Sequence, residues 1–146
     1  MGKRIGGSRF RECLDKGKLR KFSAAKGLVF KELKSSKADL KAAVESCDNK
    51  NYKWSTIQAY YSMFHAGRAL IYSKGYRERS HYCLIVALKE LFIAEGLLKE
   101  TLVEALQTAK TLRENADYEN EFSKVSAQAL LHKARELLKQ AEIILK

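Results

Sequence analysis

The chain has no proline in its 146 residues. Proline removes a backbone donor and clashes inside helices, so its absence leaves room for long uninterrupted helices and sits poorly with a turn-rich β-sandwich. Long apolar runs are missing too: nothing approaches the roughly 18 residues that span a bilayer, and the basic N-terminus is not followed by a signal-peptide core. The expectation is a cytoplasmic chain, neither secreted nor membrane-spanning. Cysteine is scarce. Cys13, Cys47 and Cys83 are odd in number, widely spaced and without a C-x-x-C pair, which predicts reduced thiols. A chain of this length buries about two thirds of its unfolded surface, so no disulfide or metal is required for stability.

The missing motifs exclude several chemistries. A di-iron bundle needs Glu-x-x-His motifs on two facing helices, and the chain has no such pair. There is no phosphate-cradling G-x-x-x-x-G-K-[ST], no dinucleotide-binding G-x-G-x-x-G and no H-E-x-x-H. Neither a metal nor a cofactor is expected. Nothing near Cys13, Cys47 or Cys83 marks an activated thiol, and the histidines are only His65, His81 and His132.

What is present is positive charge and helical periodicity. Hydrophobic residues make up 46% and charged residues 31%, with a formal net charge of +11. Residues 1–22 carry eight Lys or Arg against Glu12 and Asp15, a net of +6. That excess favours phosphate-rich or acidic partners, and it equally suits a solubilising tail. Residues 1–20, with Gly2, Gly6, Gly7 and Gly17 among the basic side chains, show no sustained period and predict a loosely ordered arm ahead of a domain over 21–146.

Five helices are predicted in that domain. The first runs from about Ala25 to Cys47, with a break near Ser35 and Ser36, and ends in the turn-rich Asp48-Asn49-Lys50-Asn51. The second runs from Trp54 to Ser73 and is closed by Gly75. The third is capped by Ser80 and stopped by Gly96, the fourth spans Lys99 to Ala116, and the fifth is capped by Ser126. No strand signal is visible. The expected fold class is all-α, an antiparallel up-and-down bundle of about five helices.

The second helix has two faces on a helical wheel. Tyr60, Met63, Phe64, Gly67, Leu70 and Ile71 form an apolar arc that predicts core. Trp54, Gln58, Tyr61, His65, Arg68 and Tyr72 form a second stripe at steps of three and four. Aromatic rings and guanidinium groups could stack bases there, or they could simply pack between helices. The turn that follows gathers Lys74, Arg77, Arg79 and His81 beside a helix start, which suits an anion, although Glu78 offsets part of the charge.

The run Ala59-Tyr60-Tyr61-Ser62-Met63-Phe64-His65-Ala66-Gly67-Arg68-Ala69-Leu70, followed by Ser73-Lys74-Gly75 and Arg77-Glu78-Arg79-Ser80-His81, resembles the HEPN family, named for higher eukaryotes and prokaryotes nucleotide-binding. Arg113-Glu114-Asn115-Ala116-Asp117-Tyr118 resembles the Arg-x-x-Ala-Asp-Tyr signature of one prokaryotic branch. The resemblance implies a bundle that dimerises, often beside a nucleotidyltransferase, in toxin-antitoxin, stress or defence settings. Many relatives are metal-independent ribonucleases whose signature is an Arg and a His separated by four to six residues. Here Arg113 matches the Arg, while Tyr118, Glu119 and Asn120 stand where the His would be. Moving the proton of a 2′-hydroxyl needs a group of near-neutral pKa, which His supplies and Tyr does not.

The expected function is therefore a nucleotide- or RNA-binding module acting with a partner protein, without standard ribonuclease activity. Its expected contacts are Arg68, Arg77, Arg79, His81, Arg113, Asp117 and Tyr118. One alternative is an endoribonuclease in which Arg113 acts with His65 or His81 across a homodimer. Another is a purely structural dimerisation domain that buries the second-helix stripe.

Overall fold

A computed structural model describes residues 7–115 and 122–146. Among these, six α-helices follow one another as α1 (Ser8–Asp15), α2 (Val29–Asp48), α3 (Tyr52–Ser73), α4 (His81–Leu88), α5 (Glu100–Glu114) and α6 (Lys124–Ile144). A short antiparallel ribbon joins β1 (Leu19–Lys21) to β2 (Tyr76–Glu78). The fold is an all-α bundle as expected, with one helix and one ribbon beyond the five helices read from the sequence.

The core forms around α3, which packs against α2, α5 and α6. Its buried face is built largely from small residues: Ala59, Ser62, Ala66 and Ala69 are all fully buried. Their size lets neighbouring backbones come close. Ser36 of α2 donates to the Ser62 carbonyl at 2.7 Å and Ser62 donates back to the Ser36 carbonyl at 2.9 Å, so both hydroxyls are satisfied between the two helices. This explains why no helix break occurs at Ser35 and Ser36: Ser36 is an interhelical fastener inside a continuous helix. A Cβ added to Gly67 would stand 3.2 Å from Leu88 and 3.7 Å from Leu106, a close approach of α3 to α4 and α5. Met63, Leu70 and Ile71 are fully buried, as the apolar arc predicted.

The helix ends follow ordinary chemistry. The backbone N–H of Cys83 donates to the Ser80 hydroxyl at 3.1 Å, the predicted cap of α4. Gly75 and Gly96 adopt positive φ of 83° and 74° after helical segments. A π-helical turn over Lys89–Ile93 extends α4 and seats the fully buried Phe92. For α6 the cap is Ser123, whose hydroxyl accepts from Ser126 N–H at 3.0 Å. Ser126 is thus the capped residue and not the cap.

The N-terminal segment departs furthest from expectation. Its residues from Ser8 onward are part of the folded body: Phe10, Cys13 and Leu19 are buried, at 4%, 2% and 1% exposure. Phe10 meets Tyr76 edge-on at 5.7 Å, and β1 pairs with β2 through Leu19 opposite Glu78, Arg20 opposite Arg77 and Lys21 opposite Tyr76. The cysteines also correct the reduced-thiol expectation. α1 lies against α4, bringing Cys13 and Cys83 to a Cα separation of 5.8 Å and into a disulfide, while Cys47 stays free. No helix among the described residues is long and apolar enough to cross a membrane.

Candidate functional site

The residues singled out in the sequence separate into two neighbouring clusters along α3, one around Tyr60 and Tyr61 and one around His65 and Arg68, with the Phe64 ring between them, 6.0 Å from the Tyr60 ring and 5.1 Å from the Arg68 guanidinium. The first lies where α3, α4 and α5 meet. The Tyr60 hydroxyl is 3.3 Å from His81 Nδ1, and the Tyr60 ring lies edge-on to Tyr61 at 5.0 Å. The Arg113 guanidinium, at the exposed end of α5, sits 5.4 Å from the Tyr61 ring. Arg113, Tyr61, Tyr60 and His81 therefore form a continuous row.

Burial decides the protonation of that row. It lowers the His81 pKa to about 4, with Lys110 acting in the same direction and Glu114 against it. Burial likewise raises Tyr60 to about 12 against the pull of Arg113. Near neutral pH the imidazole is uncharged and the phenol protonated, so Tyr60 can donate to Nδ1 while the ring proton rests on Nε2. His81 Nε2 is buried and has no hydrogen-bond partner among the described residues. A weakly basic, neutral imidazole can hold a hydrogen bond but is poorly matched to proton transfer at pH 7.

The second cluster lies between α2, α3 and β2. His65 Nδ1 is 2.8 Å from a Glu32 carboxylate oxygen, and Nε2 is 3.7 Å from Asp39. Arg68 reaches Glu78 at 3.1 Å and Glu32 at 3.9 Å. Its guanidinium also lies 5.1 Å from the Phe64 ring and 5.3 Å from the Tyr72 ring. Burial works to raise Glu32, but the His65 hydrogen bond and the Arg68 charge outweigh it and its pKa is lowered. For Glu78 burial wins over Arg68, and its pKa is raised. His65, the alternative catalytic residue, and Arg68, a predicted nucleotide contact, are thus both engaged inside the chain.

The stripe read from the helical wheel is accordingly divided. Tyr72 is buried at 1% exposure, Trp54 is exposed at 51%, and the remaining members are half-buried. Arg77 and Arg79 leave the His81 row and line a cavity of about 510 Å³ with Arg68, Glu78 and, from β1 and the residue after it, Arg20, Lys21 and Phe22. Lys74 turns away toward the Phe92 ring at 5.6 Å. Asp117 and Tyr118 lie outside the described residues. Sequence reading missed Tyr60 as the partner of His81, Glu32 as the partner of His65, and the whole β1 contribution. Only the Tyr60-Tyr61 doublet gave a local signal. No group of three or more His, Cys, Asp or Glu suited to a metal occurs among the described residues.

The exposed Arg113 over Tyr61, with Tyr60 and His81 beside it, gives the helical bundle one polar end assembled from three helices. The HEPN domain model matches residues 31–146, and the chain belongs to the HEPN family. Two proteins of Methanocaldococcus jannaschii named as candidate toxins are similar to it. One is 28% identical over 97 residues, covering 66% of this chain and 72% of the relative. The other is 27% identical over 114 residues, covering 77% and 78%. A UPF0332 protein of Pyrococcus horikoshii is 30% identical over 83 residues, 57% of this chain and 58% of that one.

Proposed function

We propose that this chain is a toxin-like HEPN module that binds nucleotide or RNA at the Arg113 row, works as a homodimer with a partner protein of the nucleotidyltransferase kind, and lacks standard ribonuclease activity. The carrying observation is the row itself: an exposed guanidinium stacked on Tyr61, backed by a His81 held near pKa 4. The guanidinium can grip a phosphate and the tyrosine can stack a base. The imidazole beside them is not set to move a proton at neutral pH. Relatives named as candidate toxins support the toxin-like setting.

Filter binding of labelled RNA across a salt series tests this. Affinity should fall as salt rises, and Arg113→Ala should weaken binding about tenfold, the loss expected for one charge-assisted phosphate contact. Salt-insensitive or absent binding would end the proposal. The contiguity of Arg113, Tyr60 and His81 favours one second reading, an endoribonuclease using His81. Incubation of purified protein with RNA decides between them, since cleavage abolished by both Arg113→Ala and His81→Gln would establish the ribonuclease and remove the inactive reading.

A further inference from the structure

The β ribbon carries a charge arrangement that its own fold does not resolve. Arg20 and Arg77 are directly opposite in the β1–β2 register, both exposed, and Arg79 lies two residues beyond Arg77 on the same face. Like charges directly opposed across a ladder are unfavourable. No carboxylate lies within ion-pair distance of Arg20, Lys21, Arg77 or Arg79 among the described residues. Glu78, their neighbour in the chain, is buried and held by Arg68 at 3.1 Å. These cations open onto the cavity of about 510 Å³, whose wall is Phe22, with the Arg77 guanidinium 5.3 Å from its ring.

Each part of the cavity selects for chemistry. A rim of guanidinium forks matches the oxygens of a phosphate and can hold them bidentately. A phosphate monoester carries between about 1.5 and 2 negative charges near neutral pH, more than the single charge of a diester, and so neutralises more of the rim. The Phe22–Arg77 pair offers a flat surface for a ring. Glu78 also lines the cavity, its side chain already held by Arg68. The volume falls in the range of small-ligand pockets.

We propose that the ribbon cavity is a second site, separate from Arg113, that binds a terminal phosphate together with its adjoining nucleobase. The source is either a free nucleoside 5′-monophosphate or the phosphorylated 5′ end of an RNA strand. Arg20, Lys21 and Phe22 precede residue 31, where the match to the family begins. Three of the seven lining residues therefore lie ahead of the matched region, and the site stands whether or not the Arg113 row holds RNA.

Calorimetric titration tests the proposal with four probes: adenosine 5′-monophosphate, adenosine, and one short oligoribonucleotide bearing either a 5′-phosphate or a 5′-hydroxyl. Within at least one pair the phosphorylated probe should bind more than about tenfold tighter, the loss expected for removing charge-assisted contacts. A preference seen with the mononucleotide assigns a free nucleotide, and one confined to the oligonucleotide assigns an RNA end. The double variant Arg20→Ala/Arg77→Ala should erase the preference while keeping the parent's circular dichroism and melting temperature. Arg20→Lys/Arg77→Lys keeps the charge without the fork and should retain only part of it. Arg113→Ala should leave the preference intact, whatever it does to overall RNA affinity. Equal affinity within both pairs, or a preference lost in Arg113→Ala and kept in the ribbon variant, would overturn the second site.

Discussion

His81 shows how one side chain ties fold to pH. In the folded chain its pKa falls to about 4 from an ordinary 6.5, chiefly through burial. Between those values the unfolded chain binds a proton that the folded chain refuses, so stability rises with pH across the window. The contribution is whole above about pH 6.5 and is lost as pH falls toward 4. Because the ring is only part-buried, solvent screening reduces the effect to about 1–2 kcal/mol. Urea unfolding at pH 7 and pH 4.5 should show the parent losing that much more stability than His81→Gln. Parallel losses would mean that the ring is not buried neutral. At the same scale, Ser36→Ala removes one of the two reciprocal serine bonds between α2 and α3. It should cost about 1 kcal/mol in chemical denaturation, and Ser36→Leu should cost more by overfilling the space between the helices.

At the scale of elements, the disulfide makes a prediction the sequence argued against. Thiol titration of the chain unfolded without reductant should find one reactive group, Cys47, and three after reduction. A link across 70 residues restricts the unfolded chain by about 4 kcal/mol in the chain-entropy account, so reduction should lower the melting temperature of the parent but not of Cys13→Ser/Cys83→Ser. The longer helices were legible because each repeats its apolar step several times and ends at a recognisable cap or glycine. α1 was not. It spans only eight residues, Ser8–Asp15, so Phe10, Cys13 and Leu14 complete a single period among glycines and cations. Nor can a three-residue strand display alternation, and the partner that gives β1 its meaning lies beyond two helices. The wheel of α3 correctly found Met63, Leu70 and Ile71 in the core. It could not tell that His65 and Arg68 face acidic partners, because Glu32 and Glu78 belong to other elements.

At the scale of the whole molecule, the fold places the basic residues from Arg9 to Lys21 on α1, on β1 and in the turn between them. Folding back β1 moves Arg20 and Lys21 from the chain's basic beginning to the edge of a cavity completed by Arg77 and Arg79. The candidate site was therefore legible in its separate residues but not in its grouping: Arg113 and His81 converge through Tyr60 and Tyr61, whereas Arg77 and Arg79 diverge from them. Raising the salt concentration should weaken RNA binding less steeply in Arg20→Ala/Arg77→Ala than in the parent if both flanks touch one strand. The slope of log affinity against log salt reads this directly, becoming shallower by about 0.7 for each single-strand phosphate that the variant no longer neutralises.

The ribbon and the disulfide also impose an order on manufacture. Cys13 has to wait for Cys83, 70 residues later, which at ordinary ribosomal rates is roughly 4 to 14 s of synthesis. During that interval Phe10 and Leu19 have no core to enter, because β2 and α4 have not been made. The α1–β1 segment is thus made before the elements that bury it, and a stalled message would leave it bare and available to a chaperone.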